Sequence, residues 1–151
     1  MTKQTILIAV LVAVCSTMVH ADINATGDTV PGSAETFWSA GGDVDTAVRV
    51  GDTGVGTLDI SDGSTLTNSS SYIGAWAGSD GAVTVDGAGT TWINDWQMIV
   101  GYQGDASLEI TNGAFVESNY ESAIGLSEGS VGEVTIDGAG STWATVGVFT
   151  V

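Results

Sequence analysis

The chain contains few residues of the kinds that perform most enzyme chemistry. Its 151 residues include one cysteine, one histidine, and two cations against 18 acidic residues. Lys3, Cys15 and His20 all precede Asp22, so Arg49 alone remains beyond it. General acid–base catalysis most often uses His, nucleophilic catalysis needs an activated Ser, Cys or Lys, and zinc sites are built mainly from Cys and His. We therefore expect no enzyme and no catalytic residue.

The shortage of cations and cysteine also limits the partners and the source of stability. From Asp22 onward the net charge is 1 − 18 = −17, which repels nucleic acid and anionic lipid. Without cysteine beyond Cys15 there is no disulfide to stabilise the fold. Hydrophobic residues nevertheless make up 43% of the chain, enough to bury a core, and 22 glycines against the single Pro31 indicate many tight turns.

The first residues have the pattern of a secretory signal peptide. Lys3 gives a positive start, 6–14 is an unbroken apolar run, and Val19-His20-Ala21 is a small-residue cleavage site. We expect cleavage after Ala21 and a secreted or cell-surface protein. The remaining sequence predicts no transmembrane helix.

One motif recurs and organises the rest of the chain. Asp-Gly-Ala-Gly-Thr-Thr-Trp at 86–92 returns at 137–143 with one Thr/Ser exchange, 137 − 86 = 51 residues later. Such recurrence is typical of a repeat architecture.

A shorter repeat lies within this one. Aliphatic pairs with alternating apolar and polar residues begin at Leu58, Val83, Leu108 and Val134, each about 25 residues after the one before it. This alternation is typical of strands with one buried face. Residues one repeat apart should therefore stack in three inner columns: Val50, Ile73, Val100, Ile124; Leu58, Val83, Leu108, Val134; and Ile60, Val85, Ile110, Ile136.

These patterns predict an all-β chain, a β-solenoid in the form of a right-handed parallel β-helix with about four rungs of this length. A meander of hairpins is the alternative, since Asp-Gly and Asn-Gly also make hairpin turns. We assign 1–21 to the signal peptide, 22–47 to an irregular capping segment with loop residues such as Asn24 and Gly27 and a strand near Phe37-Trp38, and 48–151 to the repeats, in double units 48–98 and 99–149. Glycines at equivalent positions end one strand of each rung: Gly51, Gly74, Gly101 and Gly125.

The sequence stops where another rung should begin. Val151 matches Val100, since 151 − 100 = 51. We expect an uncapped C-terminal edge capable of edge-to-edge self-association, and a fragment of a longer protein.

Between Val50 and Trp143 the chain resembles the autotransporter (type V secretion) and PEP-CTERM-associated repeats. Their pattern of Val-Gly, Gly-x-Leu-x-Ile-x-Asp-Gly, Ile-Gly and Gly-x-Val-x-Val-Asp-Gly-Ala-Gly-Ser-x-Trp is matched twice. The resemblance implies a secreted, outer-membrane-associated passenger or surface matrix protein, although neither a C-terminal barrel nor a sorting anchor is present in this sequence.

Two sets of residues are candidates for sites. Asp62, Asp86, Asn112 and Asp137 each precede a turn glycine, so they could stack one rung apart and bind calcium through oxygen ligands. The alternative is that they close turns by bonding their own backbone. No other cofactor is expected.

The aromatic residues divide by whether they repeat. Trp92 and Trp143 recur in phase and are expected to pack at a corner of the rungs. Trp76, Trp96 and Tyr102 do not recur, and exposed rings of this kind suit sugar stacking. Scattered surface aromatics are the alternative.

The leading interpretation is a secreted structural or adhesin-like scaffold, with extracellular glycans or other surface proteins as partners. A carbohydrate-binding module is the second. A carbohydrate-active enzyme is the third, and it would need two facing carboxylates that the sequence does not mark.

Overall fold

The computed structural model describes residues 22–32 and 45–151, and these form strands, turns and bends but no helix. The predicted signal peptide with its cleavage after Ala21, and the strand predicted at Phe37-Trp38, lie outside the described residues. The strands are β1 Asp22–Gly27, β2 Thr29–Val30, β3 Val48–Val50, β4 Val55–Ser61, β5 Thr65–Asn68, β6 Ser71–Ile73, β7 Asp80–Asp86, β8 Thr91–Asn94, β9 Gln97–Val100, β10 Asp105–Thr111, β11 Phe115–Ser118, β12 Glu121–Ile124, β13 Val131–Asp137, β14 Thr142–Thr145 and β15 Val148–Thr150.

The strands stack into three sheets, and from β3 onward successive turns of the chain add one strand to each. Sheet 1 has the order β1-β4-β7-β10-β13, sheet 2 the order β5-β8-β11-β14, and sheet 3 the order β2-β3-β6-β9-β12-β15. Each turn returns about 25 residues later, so the architecture is a β-solenoid of about four turns. The solenoid prediction is confirmed, and the hairpin meander is wrong because neighbouring strands from β3 onward pair in parallel.

The register confirms all three predicted columns. Leu58 pairs with Val83, Val83 with Leu108, and Leu108 with Val134. Ile60 and its equivalents follow two residues later in the same strands, and Val50 and its equivalents form the third column in sheet 3. Since side chains alternate along a strand, these columns share the inner face and form the core.

Trp92 belongs to a fourth inner column, which is not among the three predicted. It pairs with Leu66 on one side and Val116 on the other, within β8, and is fully buried. Its predicted placement at a corner is therefore wrong. Trp143 occupies the equivalent position in β14, is partly buried, and packs edge-on against Phe149 with ring centroids 5.4 Å apart.

A buried polar network lies where sheet 2 turns into sheet 3. Asn68 and Asn94 are stacked in register and fully buried, and Nδ2 of Asn68 donates to Oδ1 of Asn94 over 3.0 Å. Nε1 of Trp92 donates to Oδ1 of Asn68 over 2.7 Å, and Ser71 donates to Asn94. Buried amides are stable only when paired in this way.

The N-terminal strands pair antiparallel with the first turn. β1 pairs with β4 and β2 with β3, so the Asn24 and Gly27 predicted as loop lie in a strand. Asp28 lies between these two strands, and its Oδ2 accepts hydrogen bonds from Thr53 N, Thr53 Oγ1 and Gly54 N at 2.6, 3.0 and 2.6 Å. These bonds, led by the Thr53 amide, lower the pKa of the Asp28 carboxyl.

The turns after sheet 1 explain why two kinds of rung alternate. Asp62-Gly63 and Asn112-Gly113 both have positive φ and form tight turns closed by Ser64 N and Ala114 N. The hydroxyl of Thr90 in the next rung accepts a hydrogen bond of 3.0 Å from the Gly63 amide, and the hydroxyl of Ser141 accepts the equivalent bond from the Gly113 amide. The Asp-Gly-Ala-Gly-Thr/Ser motif is thus complementary to the turn beneath it.

All four predicted repeat glycines have a left-handed backbone, with φ between 64° and 79°. At Gly74 a side chain is also sterically excluded, since a Cβ atom would lie 2.3 Å from the Asp105 carbonyl oxygen. The glycine therefore permits both the turn and the close approach of the next rung.

The turn formed by β13, β14 and β15 has only one neighbouring turn in the part of the chain that the structure describes. Side chains equivalent to core residues elsewhere are exposed there, and Ile136 is 49% exposed. Self-association through this edge stays a prediction.

Candidate functional site

The loops from sheet 3 to sheet 1 alternate between a short form and a long form. The short loops are 51–54 and 101–104, and the long loops are 74–79 and 125–130. Each begins with one of the repeat glycines. The non-repeating residues Trp76 and Tyr102 lie on two adjacent loops, one of each kind.

An open groove of about 210 Å³ lies against these loops, lined by Arg49, Tyr72, Ala75, Trp76 and Tyr102. Arg49 and Tyr72 face outward from paired positions of β3 and β6, while their neighbours in those strands point into the core. Trp76 projects from the long loop, with 48% of its surface exposed. The groove therefore combines three aromatic residues with one cation.

The aromatic wall of the groove is held by side-chain contacts. The rings of Tyr72 and Tyr102 lie 5.5 Å apart between centroids, tilted by 57°, an arrangement that aromatic pairs favour. Nε2 of Gln97, one turn beyond Tyr72, donates to the Tyr72 hydroxyl. These contacts fix the orientation of Tyr72.

The long loop holds Trp76 through its backbone and not through its indole. Ser79 Oγ accepts from Trp76 N at 3.2 Å and donates to Trp76 O at 2.7 Å. Ser127 and Ser130 make the same pair of bonds in loop 125–130, at 3.2 and 2.8 Å. A serine thus forms this turn as well as a tryptophan does, and the turn does not require the Trp76 side chain.

Trp96 lies outside the groove and forms a second aromatic feature. It stands at the corner before β9, and its ring lies 5.4 Å from that of Tyr120, at the corner before β12. Trp96 is 59% exposed and Tyr120 58% exposed. The pair lies where sheet 2 turns into sheet 3, and the groove lies at the loops from sheet 3 to sheet 1, so the two features border opposite ends of the strands of sheet 3.

Three of the residues just described are not predicted by the sequence pattern. Arg49, Tyr72 and Tyr120 carry no repeat signal, because their side chains face outward, where the core imposes no pattern. Tyr120 could have been found from its position, since it follows Trp96 by roughly one repeat and so lies over it.

The charged side chain that lines the groove, Arg49, is close to the carboxylate of Asp52. Arg49 Nε lies 3.7 Å from Asp52 Oδ1, with 37% of the arginine side chain exposed and 20% of the aspartate. Asp52 Oδ1 is buried and has no hydrogen-bond partner. At this separation the contact is an ion pair and not a hydrogen bond.

The calcium candidates do not form the predicted column. Asp86 and Asp137 each pair with Thr111, whereas Asp62 lies one residue past the end of β4. The column is wrong because these strands all end in register, while the Asp-Gly or Asn-Gly pair begins at the last residue of β7 and β13 but one residue after the end of β4 and β10. No group of three or more potential metal-ligating side chains is found in residues 22–32 and 45–151.

Asp86 instead links two rungs. Its Oδ1 accepts hydrogen bonds of 2.6 Å from Thr111 Oγ1 and from Asn112 Nδ2. These bonds, the Thr111 hydroxyl first, lower the pKa of the Asp86 carboxyl. The contact bridges one rung to the next and is not made with the residue's own backbone.

The fold and the site together define a β-solenoid repeat protein with an aromatic groove on one side. Comparison of the chain with protein-family models, curated proteins and solved structures finds no match. Residues 22–32 and 45–151 contain no helical segment with the length and hydrophobicity needed to span a bilayer.

Proposed function

We propose that this chain is an extracellular β-solenoid scaffold of the adhesin type that binds a carbohydrate through the groove at Trp76. The observation that carries the proposal is the convergence of Tyr72, Trp76 and Tyr102 on one groove. Aromatic rings present broad apolar faces, and Tyr and Trp add a polar edge. Sugar rings offer the complementary pattern of an apolar face bordered by hydroxyl groups.

The shape of the groove favours a polymer over a small metabolite. Its volume of about 210 Å³ is below the ~300–1,000 Å³ typical of pockets that enclose small molecules, and it is open to solvent. An extended chain can lie across such a surface while one or two sugar units contact the rings. The Trp96–Tyr120 pair, also beside sheet 3, supplies a second stacking platform for the same chain.

The exposure of Trp76 supports binding over a purely structural role. A large exposed ring is unfavourable for solubility and contributes little to folding, and Ser127 makes the same turn without it. The rigid solenoid would hold the rings in place, so little conformational entropy would be lost on binding.

The proposal includes secretion and display at a cell surface. It rests on the predicted signal peptide and on the resemblance to autotransporter and PEP-CTERM-associated repeats. It assigns no reaction to the chain. A scaffold without a glycan ligand is the competing function, favoured by the regular polar outer face of sheet 1.

Binding to a glycan array, followed by titration of the strongest ligand, tests the proposal. The variant Trp76→Ser copies the residue of the equivalent turn, and we expect it to weaken binding about tenfold or more, or ~1.4 kcal/mol. The matched control is Phe115→Thr, which replaces an aromatic residue of sheet 2 by threonine. The two residues paired with Phe115 in the neighbouring strands, Thr91 and Thr142, are both threonine. We expect this control to bind as the wild type does.

Two results would contradict glycan binding through this groove. The absence of any binding glycan would leave the scaffold without a ligand. Equal affinities for the wild type and Trp76→Ser would place the ligand elsewhere on the molecule.

A further inference from the structure

The single cation of the chain beyond residue 21 lies in the groove. After Ala21 the sequence contains a single Lys or Arg residue, Arg49, and 18 acidic residues. The side chain of Arg49 lines the groove together with Tyr72 and Trp76. The outer faces of the other strands carry acidic and neutral side chains. The groove is therefore the one place on the described surface where an arginine can bind an acidic group.

The local geometry leaves the arginine able to accept such a group. Arg49 projects from β3 and is 37% exposed, and its Nε approaches Asp52 Oδ1 only to 3.7 Å. Arginine binds carboxylate or sulfate best through two parallel N–H donors at about 2.7–2.9 Å. The loose contact with Asp52 does not reach that geometry. It holds the charge near the groove and gives partial neutralisation when no ligand is bound.

We infer that the ligand of the groove is an anionic saccharide, whose carboxylate or sulfate group pairs with Arg49 while its ring stacks on Trp76 and Tyr102. This inference rests on the proposed function, because it names the chemical class of the glycan bound there. Tyr72 is paired with Arg49 across β3 and β6, and its ring also contacts that of Tyr102, so it adjoins both the cation and the stacking rings. A neutral sugar would use the rings alone.

The net charge of the chain opposes an acidic ligand, and this makes the response to salt informative. At 0.15 M ionic strength charges beyond about 8 Å are largely screened, so the distant carboxylates lose most of their effect while Arg49 acts in direct contact. Lowering the salt should strengthen the local pairing and also the general repulsion. Removing Arg49 leaves only the repulsion, so the variant should bind acidic glycans better as salt rises.

The test compares acidic glycans with neutral counterparts of the same backbone. One arm uses oligogalacturonate and its fully methyl-esterified form, and another uses a sulfated galactan oligomer and its desulfated form, within a panel of other acidic and neutral pairs. Wild type, Arg49→Gln and Arg49→Lys are titrated with each, after their melting temperatures have shown that they fold. The sulfate and carboxylate arms distinguish the two sources of negative charge.

We expect the tightest ligands to be acidic members of their pairs. Arg49→Gln should lose about tenfold or more in affinity for them, with neutral ligands changed less than twofold, and Arg49→Lys should fall between. If the wild type bound the neutral glycans more tightly, or if Arg49→Gln lost equal affinity for the acidic and neutral members of a pair, the inference would be overturned. Glycan binding itself would remain intact. If Trp76→Ser also binds every glycan as the wild type does, the proposed function fails as well.

Discussion

Trp92 and Asn68, one turn apart in the solenoid, are joined by a 2.7 Å hydrogen bond from the indole Nε1 to the side-chain Oδ1 inside the core. The two N–H donors of the Asn68 amide are in turn shared among three acceptors: Asn94 Oδ1, Ser71 Oγ and the Ser70 carbonyl. One buried side chain thus connects two turns and the corner between two sheets.

Replacing Asn68 by Ala should destabilise the fold strongly. It removes the acceptor for Trp92 and a donor to Asn94, and a buried polar group without a partner costs about 1–3 kcal/mol. We expect a loss of about 3 kcal/mol in the free energy of unfolding, measured in urea. Asn24→Ala, at an exposed position of β1, is the control and should change little; equal effects would contradict the network.

Gly74→Ala should be far more damaging than Gly78→Ala. Both residues have positive φ, 64° and 83°, so both substitutions carry the backbone strain of about 1–2 kcal/mol. Only at Gly74 would the new methyl group lie 2.3 Å from a carbonyl oxygen, because nothing is within 4 Å at Gly78. Thermal unfolding should show a modest loss for Gly78→Ala and a loss of most of the stability for Gly74→Ala. Similar melting temperatures would show that the rungs are not this closely packed.

The contact between Asp28 and loop 51–54 should weaken in acid. The Asp28 carboxyl has a lowered pKa in the fold because it accepts hydrogen bonds from Thr53 and Gly54. Its stabilisation is therefore present above the unfolded pKa, about 3.9, and is lost as the pH falls through the lower folded pKa. Hydrogen exchange of the Thr53 and Gly54 amides should accelerate, relative to other loops, below about pH 4.

Asp28→Asn should remove most of that pH dependence, since the amide cannot ionise. The control is Asp59→Asn, at an exposed position of β4. An unchanged pH dependence of exchange in Asp28→Asn would contradict the assignment to Asp28.

Asp86→Ala and Asp137→Ala should differ, although the two residues occupy the same position in the repeat. Asp86 accepts bonds from Thr111 and Asn112 of the following rung, whereas within residues 22–32 and 45–151 no further strand pairs with β13 beyond Asp137. We expect Asp86→Ala to cost about 1 kcal/mol, a value reduced by exposure to solvent, and Asp137→Ala to cost less than half of that. Urea unfolding of the two variants measures this, and equal losses would show that the contact between rungs contributes nothing.

The solenoid can be predicted because its core imposes a period on the sequence. Parallel in-register strands place Leu58, Val83 and Leu108 over one another, so each must be aliphatic and the repeat becomes visible. Trp92 follows Leu66 by about one repeat, so the same spacing rule would have placed its ring over Leu66 in the core. The corner prediction fails because an aromatic ring interrupts the aliphatic pattern by which an inner column is recognised.

The groove can be predicted only in part. Trp76 and Tyr102 stand out because they break the repeat, but their closeness depends on the lengths of loops 74–79 and 101–104. Arg49 and Tyr72 face outward, where no packing constraint marks them. The predicted column of Asp and Asn side chains is wrong for a related reason. The Asp-Gly or Asn-Gly pair begins one residue later in one kind of turn than in the other, so Asp62 does not lie level with Asp86.

Glycan binding at Trp76 can be tested directly by following the indole N–H signals of the five tryptophans during titration with the strongest glycan from the array. If the glycan binds in the groove, the Trp76 signal should shift and saturate with the measured affinity, while the signal of buried Trp92 should stay in place. A titration in which the glycan binds but Trp76 does not shift, or in which Trp92 shifts as much, would contradict binding in the groove.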